Sequence, residues 1–252
     1  MIASEQSILG GLVAARVERR RSFAVLIDPD KLRTSRLEEV VERACEAGVD
    51  YFFIGGSLIV NNMLDEVLTG IKQRCDIPLV LFPGNSLQLS YRADALLFLS
   101  LISGRNPELL IGNHVIAAPY LKISPLEIMS CGYLLVDGGT STTVSYMSNT
   151  TPIPAAKSDI AVCTAVAGEM LGLKLMYLDA GSGAKHPVPT EMVEAVSGAV
   201  DVPVIVGGGI RTPERARATV EAGADVVVVG NAIEGDPTLI HELADAVKGG
   251  GE

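Results

Sequence analysis

The chain has 252 residues, is 48% hydrophobic with 26 glycines and no tryptophan, and carries 20 basic against 30 acidic residues, a net charge of −10. That length and apolar share suit one unit with a large core, so residues 1–252 are expected to form a single domain. The acid excess excludes nucleic acid, whose backbone needs a basic stripe, and offers no pull toward anionic membranes; a single phosphate or diphosphate held by backbone N–H groups or a metal stays open.

At the N-terminus the apolar residues come before the basic cluster Arg16–Arg21, the wrong order for a secretory signal. Short runs rich in Val, Ile, Leu and aromatics follow at Phe23–Ile27, Tyr51–Ile54, Pro78–Phe82, Ala95–Leu99, Tyr133–Val136, Lys174–Leu178, Pro203–Val206 and Asp225–Val229. Continuous apolar runs of this length suit strands buried on both faces, as in a parallel sheet. Helical patterns fall between most of them. Ser35–Ala47 has a Ser start and a Gly48 stop, and Thr212–Ala222 has a Thr cap with Pro213 at the first helical position. Eight strands with helical crossovers predict an α/β fold, a (β/α)8 TIM barrel. Between Phe82 and Ala95 lie only twelve residues, PGNSLQLSYRAD, so the third crossover helix is expected to be missing or replaced by an extended segment. The irregular stretch after Val136 is a candidate lid or cofactor loop, followed by a helix near Ala155–Leu171. The longest clearly apolar run, Ala95–Ile102, is far too short to span a bilayer. Cys45, Cys75, Cys131 and Cys163 make no C-x-x-C pair and read as reduced thiols of a cytoplasmic protein.

Three consecutive strands end in glycine: Gly181-Ser182-Gly183, Gly207-Gly208-Gly209 and Gly230-Asn231. Barrel active sites lie at these strand ends, where glycine lets backbone N–H groups approach an anion closely. Convergence of the three on one phosphate is the expected reading, against three tight turns that bind nothing. Asp28, at the end of the first strand in LIDPDK, is placed for Mg2+, although Asp28-Pro29-Asp30 would also make an ordinary turn. Ser57, after the second strand in FIGGS, could touch the metal or a diphosphate. Alternation puts Tyr177 and Asp179 on the same side of the sixth strand, where the acid could orient a substrate hydroxyl or take its proton. His114, His186 and His241 have no metal-ligand spacing.

LIDPDK, YFFIGGS, LFPGN, ALLFLSLISGRNP, YLDAGSGA with the PVP after it, IVGGGIRTPE and VVVGN stand here in order over roughly residues 20–235. In these motifs the chain resembles the geranylgeranylglyceryl phosphate synthase family, which includes the bacterial heptaprenylglyceryl phosphate synthases, and is most similar to the second of its two groups. The resemblance implies Mg2+-dependent transfer of a prenyl group, most plainly geranylgeranyl, from its diphosphate to the 3-hydroxyl of sn-glycerol 1-phosphate, and a homo-oligomer of two or more copies. It implies metal contacts at Asp28 and Ser57. The glycerol phosphate would be held by Tyr177, Leu178, Asp179, Ala180, Gly181, Ser182, Gly183, Gly208, Gly209, Gly230 and Asn231, with Tyr177 and Asp179 catalytic. The family usually has glutamate where Asp179 stands, one methylene longer. The competing readings are a barrel oxidoreductase that holds flavin mononucleotide by its phosphate, and a non-catalytic binder of a phosphorylated ligand.

Overall fold

The computed structural model describes residues 7–31, 34–61 and 63–249. Eight parallel strands close into a barrel in chain order: β1 Ser22–Ile27, β2 Tyr51–Ile54, β3 Leu79–Leu81, β4 Ala95–Leu101, β5 Glu127–Leu135, β6 Leu175–Asp179, β7 Val204–Gly207 and β8 Val226–Val229. Closure is made by β1, which pairs Leu26 with Phe53 of β2 and Ala24 with Val228 of β8. The strands are apolar on both faces because both are covered. Ala24, Phe53, Val80, Leu97 and Ile205 fill the barrel, while Val25, Phe52, Leu96, Met176 and Val206 pack outward against the helices.

The helices are α1 Ile8–Val17, α2 Thr34–Glu46, α3 Leu64–Lys72, α4 Asn113–Lys122, α5 Thr143–Ser148, α6 Ser158–Met170, α7 Thr190–Ser197, α8 Pro213–Glu221, α9 Asn231–Gly235 and α10 Leu239–Lys248. A turn of π-helix, Glu108–Gly112, leads into α4. The cap expected at Thr212 is present: its side chain accepts the N–H of Arg215 at 3.4 Å. The helix α1 was not expected. It plugs the N-terminal end of the barrel, with Leu12 in the interior cluster and its first amides donated to Glu127, from Ile8 at 2.7 Å and Leu9 at 3.0 Å.

Two departures matter for the site. No helix joins β3 to β4, as the short connection requires. The segment is held instead by Gln88, which donates to the Gly56 carbonyl at 3.0 Å and accepts the Gly84 N–H at 2.9 Å. And β5 starts at Glu127, six residues before the expected Tyr133, because an acid that caps α1 stands inside a strand.

Candidate active site

At the C-terminal ends of the strands lies a polar cavity of about 230 Å3. Asp28, Ser57, Tyr177, Asp179, Gly181, Ser182, Gly183, Gly208, Gly209, Gly230 and Asn231 all line it. So eleven of the thirteen residues singled out from the sequence are brought together. The other two, Leu178 and Ala180, do not line it. Their side chains belong to the outer core, and the Ala180 N–H is already donated to the Gly207 carbonyl at 3.2 Å. Strand alternation accounts for this: Tyr177 and Asp179 face inward, so their neighbours face the helices.

Asp179 is 6% exposed. Its carboxylate accepts the Tyr133 hydroxyl and, at 2.7 Å, the Gly181 N–H. Burial pushes the carboxyl above the usual aspartate range, and the two hydrogen bonds only partly oppose this. Burial and then the Asp179 charge push the Tyr133 phenol well up; Tyr177 is shifted the same way for the same reasons. Both phenols are therefore donors. Opposite stands Gly208, at φ +78°, where a Cβ would lie 2.4 Å from Asp179 Oδ1 and 2.7 Å from the Gly181 nitrogen. The amides of Ser182, Gly183, Gly208 and Gly209 donate to no protein acceptor among the described residues, which is the arrangement that cradles an oxyanion. Ser182 Oγ donates to Asn231 Oδ1 at 3.1 Å and ties the loop after β6 to the one after β8. Arg211 lines the same cavity, its guanidinium held by the Ala184 carbonyl at 2.9 Å.

On the other wall, the Asp28 carboxylate accepts the Asp30 N–H at 3.1 Å and pairs with Lys31 at 3.0 Å. Gly56 lies against it, where a Cβ would stand 3.2 Å from Asp28 Oδ2. No group of three or more His, Cys, Asp or Glu able to enclose a metal occurs among the described residues. One carboxylate with a hydroxyl from Ser57 nearby is nevertheless the hard-oxygen donor set that Mg2+ uses when substrate phosphate and water complete its shell.

A second cavity, of about 350 Å3, adjoins the first. Gly56, Ser57 and Phe82 line both. Its walls are mostly apolar: Leu89 from the helix-free β3–β4 segment, Leu97, Leu99 and Leu101 of β4, Leu109, and Val144 and Met147 of α5. The lid candidate thus spans both compartments, since Thr143 lines the polar one. At the junction Phe82 stacks on Tyr177, ring centroids 5.1 Å apart, and Tyr133 lies 5.5 Å from Tyr177. His114 lines the apolar cavity with Nε2 3.2 Å from Ser100 Oγ, whereas His186 and His241 line neither.

Sequence reasoning missed Tyr133, Lys31, Glu234 and Arg211. Tyr133 pairs in register with Tyr177, and strand parity alone would have turned it inward. Lys31 stands inside LIDPDK, and Glu234 follows Asn231 by three residues in α9.

Residues 15–249 match the model of the PcrB family. The chain belongs to the PcrB family. A geranylgeranylglyceryl phosphate synthase of Chitinophaga pinensis is 55% identical over 240 residues, 95% of each chain, and one of Spirosoma linguale is 53% identical over 233 residues, 92% of this chain and 94% of that one. The crystal structure of (S)-3-O-geranylgeranylglyceryl phosphate synthase from Thermoplasma acidophilum, in complex with substrate sn-glycerol-1-phosphate, superposes with a TM-score of 0.91 at 33% identity, covering 97% of this chain and 99% of that one. In this PcrB-family barrel, then, a polar compartment and an apolar one meet at the ends of β2 and β3.

Proposed function

We propose that the protein transfers a geranylgeranyl group from its diphosphate to the 3-hydroxyl of sn-glycerol 1-phosphate, releasing diphosphate. The observation that carries this reading is the shared wall. A compartment of free amides opens into an apolar groove at Gly56, Ser57 and Phe82, beside the Asp28 carboxylate. One ligand is polar and anionic, the other has a long apolar chain with an anionic head, and the reacting ends meet at that wall.

The amides after β6 and β7 hold the glycerol phosphate, and Arg211 adds positive charge at the rim. Asp179 accepts the 3-hydroxyl as a hydrogen-bond donor and takes its proton as the oxygen attacks the allylic carbon. Its upward-shifted carboxyl makes it a better base than an exposed aspartate, and Tyr133 fixes its orientation. The ether C–O bond forms, the C–O bond to diphosphate breaks, and diphosphate leaves with the electron pair. Phe82 and Tyr177 present ring faces where positive charge develops on the allylic carbon. The groove and α5 keep water from that carbon. Mg2+, held by Asp28 and Ser57, would neutralise charge on the diphosphate.

The relatives' names support a C20 donor. Four free cysteines support a reducing cytoplasm as the working compartment; no helix among the described residues is long and apolar enough to cross a membrane. The exposed Val115, Ile116, Tyr120 and Ile123 on and just after α4 support a homo-oligomer of at least two copies. The reading is tested by Asp28→Asn. Transfer should fall by about a hundredfold or more while sn-glycerol 1-phosphate still binds; wild-type turnover in that variant would refute the role of Asp28.

A further inference from the structure

The polar compartment holds an ammonium that the reaction above does not use. Lys31 Nζ lies 3.0 Å from Asp28 Oδ2 and 3.7 Å from Glu234 Oε2. The other Glu234 oxygen accepts the backbone N–H of Asp28 at 3.3 Å. From α9, immediately after the phosphate-facing Gly230-Asn231, one side chain therefore grips both ends of the Asp28–Lys31 turn. That turn is closed by the Lys31 N–H on the Asp28 carbonyl at 3.1 Å.

The Glu234 side chain is only 12% exposed and stands beside a second carboxylate. A glutamine would make the same hydrogen bond to Asp28 without the repulsion. The negative charge acts on Lys31, whose ammonium lies 3.7 Å away at this wall. Two carboxylates and one ammonium leave the cluster one unit negative; a divalent cation at Asp28 turns it one unit positive. Without Lys31 that loaded cluster would be neutral, with no net attraction for the charge that gathers on diphosphate as the allylic C–O bond breaks.

We propose that Lys31 contacts the departing diphosphate as a catalytic residue, and that Glu234 is a positioning residue which holds Lys31 and the Asp28 backbone for it. The assignment rests on the prenyl-transfer reading and adds to it which protein cation receives the leaving group. Lys31 is 47% exposed and within reach of an oxyanion bound next to Asp28, and Glu234 draws it toward that wall. The diphosphate takes the bonding electron pair, and the hydroxyl proton goes to Asp179, so Lys31 donates hydrogen bonds and stays protonated.

The test is calorimetric titration of inorganic diphosphate with Mg2+ into the wild type, Lys31→Met, Lys31→Arg and Glu234→Gln, with sn-glycerol 1-phosphate titrated in parallel. Loss of a charge-assisted contact should weaken diphosphate binding about tenfold or more in Lys31→Met. Lys31→Arg should recover most of this and Glu234→Gln should lose a smaller factor, with glycerol phosphate affinity within twofold throughout. In turnover, Lys31→Met should lower kcat and leave KM for glycerol phosphate unchanged. Equal diphosphate affinity in wild type and Lys31→Met would overturn the assignment and leave the transferase reading standing. Parallel loss of both ligands, not recovered by Lys31→Arg, would make Lys31 structural and overturn it too. A wild type that binds no diphosphate would bring down the transferase reading along with it.

Discussion

Replacing Tyr133 with Phe removes one hydroxyl and little else. The ring keeps its neighbours Phe82, 6.1 Å away between centroids, and Tyr177, 5.5 Å away. What is lost is one of the two hydrogen bonds that the buried Asp179 carboxylate accepts within the protein, the other coming from the Gly181 N–H. A hydrogen bond to a charged group contributes about 1.5–3 kcal/mol. That contribution favours the ionised form, so its removal should push the Asp179 carboxyl further in the direction burial has already moved it. The sign follows from the mechanism. Asp179 must be ionised to take the hydroxyl proton, so the acid limb of kcat/KM for prenyl transfer should move to higher pH, with the alkaline side unchanged. Stability moves in the matching direction. A carboxyl whose folded pKa lies above its unfolded value contributes stability below the unfolded pKa that is lost as pH rises through the folded one. Tyr133→Phe should therefore cost more at neutral pH than in acid. The assay is a pH profile of transfer, with thermal melts at the same pH values. An acid limb that stays in place would refute the role given to Tyr133 and the claim that Asp179 titrates in catalysis.

Gly208→Ala should cost roughly 1–2 kcal/mol in backbone conformation alone, given φ +78°, and its methyl would press on Asp179 Oδ1. Glycerol phosphate affinity by calorimetry should fall about tenfold or more. Asp225 lies at the opposite end of the barrel, 2% exposed, paired with Arg16 at 2.5 Å and Arg21 at 2.6 Å and accepting the Val204 N–H at 2.9 Å. Asp225→Ala takes the carboxylate from both arginines, leaving Arg16 only the Ser197 and Val200 carbonyls, and should cost about 3 kcal/mol in urea unfolding, with kcat unchanged wherever the variant remains folded.

The barrel was legible because its strands are buried on both faces, so each announces itself as an apolar run. The exception, β5, hides its first half behind Glu127, whose carboxylate serves α1 rather than the sheet, and Gly132, where a Cβ would meet Ile102 and Met176 at 2.8 Å. The missing helix was legible from length alone. In the site, glycine marks the strand ends and Asp179 follows from alternation, so the glycine-lined wall of the polar cavity could be read. The groups that tune it could not. Tyr133 meets Asp179 across 46 residues and Glu234 meets Asp28 across 206, contacts that only barrel closure creates. Leu178 and Ala180 came in with their motif, whereas parity turns their side chains away.

The most direct test of the account is product formation from the wild-type protein with Mg2+, geranylgeranyl diphosphate and either sn-glycerol 1-phosphate or sn-glycerol 3-phosphate, the ether lipid being extracted and counted. The account predicts a geranylgeranyl ether from the 1-phosphate and little or none from the 3-phosphate. No ether from either acceptor, with both substrates shown to bind, would contradict it.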